Sequence, residues 1–221
     1  MKMKSAAWRY SWITYRRDAL WFPPALWVLF IVIVSIMRHP AIRFNLARGY
    51  LGFIVPLISG IMAAYAVLDD PALELRFATP ARAGQTLLAP LGLIVAVQTA
   101  CALSFQLFLL VLKVDLSPLG GPLGVQLAWF LPALSLIALG TAGSLAGAQT
   151  SLGAFLVGAV WLVQIMMKSW LEANAKYLHL FLGVLVPRDP DLALNQCLLL
   201  AGSIALLSFS WALLHRQERF L

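Results

Sequence analysis

Charge is what this sequence has least of. Only 11% of its 221 residues are Asp, Glu, Lys or Arg, where soluble chains carry about 25%. Cysteine is nearly absent. Cys101 and Cys197 are lone thiols in different apolar runs, which gives no disulfide framework and no metal-ligand spacing; they read as small buried hydrophobes. The three histidines, His39, His179 and His215, stand in loops or at the end of an apolar run and not together. No His-Glu-x-x-His pair offers a zinc site, and Ser144 is flanked by Ala142 and Ala146 where a nucleophile elbow needs glycines. No Gly-x-x-x-x-Gly-Lys-Ser/Thr loop is present, so the chain does not bind ATP in the P-loop manner. An enzyme in its own right, with catalytic or metal residues, is not expected. The long basic stretch at the N-terminus and the apolar run after it, which lacks a small-residue cleavage site, do not read as a cleavable signal.

What the sequence does have is apolar length. Hydrophobic residues make up 62%, and the mean hydropathy is +0.87. A spanning helix needs about 20 apolar residues, so the chain has room for six spans and short loops, and none for a soluble domain. The expected fold is all-α and integral to a membrane, with spans at about 21–37, 49–68, 87–112, 123–146, 152–167 and 192–214. The net charge of +7 sits at span ends, which points to lipid headgroups and topology rather than nucleic acid.

Residues 1–20 interleave Lys2, Lys4, Arg9, Arg16 and Arg17 with Trp8, Tyr10, Trp12 and Tyr15. That mixture suits an amphipathic elbow helix lying at the headgroup level. Pro56 is expected to kink span two. The segment 168–195 is polar at both ends, and its apolar middle, about 177–187, is too short to cross; it reads as a short re-entrant or interfacial helical segment on the extracytoplasmic side. Lys and Arg number nine on the side of the termini and seven on the other. The basic stretch before span one then places both termini in the cytoplasm of a cell (inner or plasma) membrane protein.

No ionisable residue falls in the middle of an expected span, which counts against a proton- or sodium-coupled carrier. Gln98, Gln106, Gln126 and Gln164 are the main polar side chains inside spans. They either bond between helices or line a substrate path. Gly140, Gly143 and Gly147 repeat along one face of span four and let backbones approach closely, within one subunit or at a dimer seam.

One connecting stretch carries most of the functional signal. From Asp69 to Pro90, between spans two and three, Asp70 is a capping residue and Pro71 suits the first helical turn. Leu73 and Phe77 share a face, and Thr79-Pro80 ends the helix, which runs over about 70–79. Glu74-Leu-Arg76-Phe77-Ala-Thr79-Pro80-Ala-Arg82 resembles the Glu-x-x-x-(Ala/Ser)-(Thr/Leu)-Pro-x-(Ser/Arg) pattern between spans two and three of type-2 ATP-binding-cassette (ABC) exporter permeases. The order of parts is similar too: elbow helix, six spans, a tiny loop between spans four and five, and a short apolar helical segment before span six. The glycine that often follows the Glu is Leu75 here.

The resemblance implies that this stretch is a cytoplasmic coupling helix docked on a separate ABC ATPase, present in two copies. Glu74, Arg76 and Arg82 would form the polar rim of the contact, with Leu73 and Phe77 filling a groove and Thr79 and Pro80 part of the same partner-contacting stretch. ATP and Mg would be bound by that partner and no cofactor by this chain. A second permease copy or a homologue would complete the pathway in the lipid bilayer, with export of a hydrophobic or amphipathic cargo. The competing readings are a non-transporting scaffold or sensor and a secondary carrier.

Overall fold

The computed structural model describes residues 21–66, 68 and 83–215. The expected elbow helix (1–20) and coupling stretch (about 70–79) lie outside the described residues, as does the tail from 216. Every regular element among the described residues is helical. In chain order they are α1 (Phe22–Ile36), α2 (Pro40–Ala66), α3 (Ala83–Val111), α4 (Gly121–Gly147), α5 (Thr150–Met166), α6 (Lys168–Asn174), α7 (Leu182–Leu185) and α8 (Leu192–Leu214). Four of these, α2, α3, α4 and α8, are long and apolar enough to cross a membrane, and α5 with α6 makes a fifth if that bent pair is one span. Such helices are compatible with a membrane protein; α1 is apolar but only 15 residues long.

The second long helix begins well before the expected span. The stretch 38–48, read as a loop, is helical from Pro40 onward. His39 is extended, Pro40 supplies a preset first turn, and no breaker follows. Arg43 Nε donates back to the Met37 carbonyl at 2.5 Å, so its charge closes the α1–α2 turn. Further along, Tyr50–Ile54 winds as a π-turn, with the Val55 N–H bonded to the Tyr50 carbonyl. Pro56 explains it. A proline ring clashes with the carbonyl four residues back, here Gly52, and a wider turn relieves that clash.

The centre of the molecule is α4, which packs against α2, α5 and α8. A second apolar cluster joins α1, α2 and α3 through tilted ring contacts: Phe30 to Tyr50 at 4.9 Å and Tyr50 to Phe105 at 4.4 Å. The α4–α5 turn is as short as expected. Ala148 takes the left-handed conformation at φ 51° and the Gln149 N–H bonds the Ser144 carbonyl at 3.1 Å. A left-handed alanine is strained, by roughly 1–2 kcal/mol. Ala148→Gly is therefore expected to raise stability by about 0.5–1 kcal/mol after glycine's entropic penalty, read as a higher thermal midpoint in detergent. Cys101 is half-buried, whereas Cys197, expected to be buried, is exposed on α8.

Candidate functional site

The chain breaks sharply after α5. It turns by 76° at Met167 into α6, then doubles back through a 3₁₀ turn (Lys176–Leu178) and the four-residue α7 before α8 begins. The expected helical segment over 177–187 is thus two short pieces with an extended hinge at His179. The segment is not a surface loop. Phe181 and Leu182 are fully buried, and His179 is 0% exposed.

Polar side chains from the two flanking long helices hold this fold-back. From α5, Gln164 Nε2 donates to the Leu178 carbonyl at 3.0 Å, while its Oε1 accepts from the Leu180 N–H at 3.1 Å and faces His179 Nδ1 at 2.8 Å. From α8, Asn195 Nδ2 reaches three carbonyls, those of Lys176, Tyr177 and His179, at 3.0–3.1 Å. At the polar rim, Lys176 Nζ lies 3.0 Å from Asp189 Oδ2 and 3.9 Å from Asp191 Oδ2. The Asp191 N–H and the Lys176 ammonium hold the Asp189 carboxyl below its usual range, and Asp189 in turn raises Lys176. Burial pushes His179 below its usual range; Glu172 partly offsets this and Lys168 adds to it.

The fold-back is also seated on the π-turn of α2. Val184 fills the space above Gly52, where an added Cβ would meet its Cγ1 at 2.5 Å. The Phe53 and Phe181 rings meet edge to face at 4.8 Å, and Trp161 Nε1 of α5 donates to the Phe53 carbonyl at 3.0 Å. One irregularity in α2 therefore accommodates Pro56 and receives the returning chain. Between α4, α5, α8 and the fold-back lies an apolar cleft of about 290 Å³, with Tyr177 and Leu178 on one wall and Ser203 on another. Ser135 and Ser203 pair there at 3.0 Å.

The four glutamines expected in spans do not converge. Gln106 of α3 and Gln126 of α4 exchange hydrogen bonds at 2.7 and 3.4 Å, and Trp129 Nε1 donates to Gln126 at 2.9 Å. The pair adjoins a cleft of about 510 Å³ whose rim includes Lys113 and Asp115. Gln98 is buried with its amide 3.7 Å from Met62 Sδ. Gln164 belongs to the fold-back. The glycine stripe of α4 meets neighbours within this chain. Gly140 lies against Gly60 of α2, Gly143 against Gly153 of α5, and Gly147 against Leu152. Ser144, on the same stripe, donates to the Ala64 carbonyl at 2.7 Å. Leu73, Glu74, Arg76, Phe77, Thr79, Pro80 and Arg82 lie outside the described residues, in the connection from α2 to α3.

Sequence reading passes over two members of this site. His179 reads as a loop histidine, and Asn195 only as the end of the polar-ended segment 168–195. The available signal was an Asn and a Gln placed near the facing ends of the two long apolar runs that flank the short apolar segment 177–187. Among the described residues no cluster of His, Cys, Asp and Glu is arranged to hold a metal ion. Comparisons with protein-family models, curated proteins and solved structures gave no match.

Proposed function

We propose that this chain is the permease subunit of an ATP-driven ABC transporter, worked by a separate ATPase and exporting a hydrophobic or amphipathic cargo. The observation that carries the reading is the Glu74–Arg82 pattern in the connection between α2 and α3. In this reading α1 to α5 and α8 are the six spans, residues 1–20 form the elbow, both termini are cytoplasmic, and the fold-back lies at the outer mouth.

The packing of α2 supports the idea that a push on this connection can do work. Its last turns are held by the Ser144–Ala64 bond and by the close approach of Gly60 to Gly140. A displacement at Ala66 would therefore move α2 together with α4 instead of bending a loose helix end. The π-turn and the fold-back seated on it lie further back along that same helix, near its middle. The apolar cleft beneath the fold-back suits a cargo with little polar surface.

The test is to purify the tagged full-length chain from its native membrane and measure co-purifying ATPase and ATP hydrolysis. Replacing Phe77 and Arg82 together with alanine is expected to weaken ATPase association at least about tenfold, or ~1.4 kcal/mol, with the chain's own thermal midpoint unchanged. Undiminished association in the double variant removes the docking claim. A preparation free of any ATPase, from membranes where the partner is expressed, favours the scaffold.

A further inference from the structure

The orientation of the Gln164 amide is set by backbone, not by choice. Its NH₂ faces the Leu178 carbonyl and its oxygen faces the Leu180 N–H. The flipped amide would put donor against donor and acceptor against acceptor. The oxygen therefore also faces His179 Nδ1, and that ring nitrogen must carry the proton to donate to it. In the neutral ring this leaves Nε2 as a bare lone pair. Nε2 is buried and has no hydrogen-bond partner among the described residues.

We propose that His179 Nε2 is a proton-binding site, and that filling it releases the fold-back from Gln164 and Asn195. The inference stands apart from the transporter reading, because it concerns how this chain holds its own segment 176–186.

The geometry makes the ring a keystone. Gln164 Oε1 holds both the imidazole and the Leu180 N–H, and the His179 carbonyl is one of the three that share Asn195. Leaving its seat, the ring draws on the flanking residues, the buried Phe181 and Leu182 among them. A second proton turns the ring into a cation in a site bounded by apolar side chains, with the Phe181 ring 6.3 Å away. Burying such a charge is costly unless it is paired. From α5 and α8 the groups presented are the uncharged Gln164 and Asn195. From α6 the charges that bear on the ring are Glu172, which favours the cation, and Lys168, which opposes it. Glu172 Oε1 is itself buried and has no hydrogen-bond partner among the described residues, though Lys168 Nζ approaches it at 3.9 Å.

The sign follows from linkage. The seated ring binds a proton less readily than the released ring, whose affinity is that of an ordinary histidine, near pH 6.5. The closed form is therefore fully favoured above about pH 6.5. It loses up to about tenfold in population ratio per pH unit below that, until the seated ring itself titrates.

Hydrogen exchange of the full-length chain in lipid nanodiscs, corrected for intrinsic rates, reads this directly. Protection of peptides covering 177–186 should be flat from pH 8 to about 6.5 and fall by up to about 30-fold by pH 5, while α4 is unchanged. His179→Asn, which keeps a donor for Gln164 and cannot titrate, should abolish the fall. Glu172→Gln, which lowers the seated ring's proton affinity, should deepen the fall at pH 5, and Lys168→Gln, which raises it, should make the fall shallower, with the onset near pH 6.5 unchanged in both. Those partly exposed substitutions keep the test decisive should His179→Asn fail to fold. Flat protection in the unaltered chain overturns the proposal, as does a fall that persists in His179→Asn. So does a fall that deepens, or becomes shallower, in both α6 variants alike.

Discussion

Gly140→Ala is expected to be among the most damaging single-methyl changes in this chain. The new Cβ would collide with the Gly60 carbonyl of α2 and sit 3.1 Å from Val157 Cγ2 and 3.3 Å from the Ala64 nitrogen. Two of these obstacles are backbone and cannot rotate away. Relief requires α2 and α4 to separate, which also stretches the Ser144–Ala64 bond beside them. Overpacking of this kind costs about 1–3 kcal/mol, which for a chain of this size corresponds to a fall of roughly 2–12 °C in thermal midpoint. The same substitution at Gly158 or Gly202, which have nothing within 4 Å of the new carbon, has the opposite sign. Alanine is the better helix former there by up to about 1 kcal/mol. Differential scanning fluorimetry of the three variants in one detergent tests the seam. Equal midpoints for Gly140→Ala and Gly158→Ala would show that α2 and α4 do not approach as described.

Gln164→Leu is expected to free the fold-back without unfolding the bundle. Leucine has nearly the same volume, yet it leaves His179 Nδ1–H, the Leu180 N–H and the Leu178 carbonyl without their partner. Each buried group left unsatisfied costs about 1–3 kcal/mol, more than an ordinary hydrogen bond contributes. The segment avoids that cost by leaving its seat. Protection of 177–186 against exchange should drop on the order of a hundredfold, about 2.7 kcal/mol at the lower end of that penalty. The midpoint of the α2–α4–α5 bundle should move by only a few degrees. Asn195→Leu deprives three carbonyls of a donor but leaves the Gln164 contacts in place. It should fall between Gln164→Leu and the unaltered chain. An Asn195→Leu loss that equals the Gln164→Leu loss would mean that the two side chains act as one latch rather than two.

Both effects depend on features that were unequally legible in the amino-acid order. The long apolar runs read correctly as helices because a run of apolar residues leaves the backbone only itself to bond to. The glycine stripe was visible too, though not whether it faced α2 and α5 of the same chain or a second copy. The start of α2 lies earlier than the apolar run suggests. Arg43 and Arg48 look like loop charges, but Arg43 turns back onto the Met37 carbonyl and the helix runs through both. The expected kink at Pro56 takes the form of a π-turn at Tyr50–Ile54, a backbone adjustment that no side-chain pattern announces.

The residue sequence by itself determined a sparsely charged chain of helical segments, its main apolar runs, the short apolar interval before the last helix, and the Glu74–Arg82 stretch. These follow from local properties: apolar length, proline and glycine placement, and charge at segment ends. Only the tertiary structure decided that His179 is buried, that Gln164 and Asn195 grip the same few residues, and that Val184 rests on Gly52. Those contacts join α2, α5, the returning segment and α8 across a 76° bend. A hydrogen bond between residues so far apart follows no helical period. It exists only once packing has brought two helix ends together and removed the water that would otherwise satisfy each group.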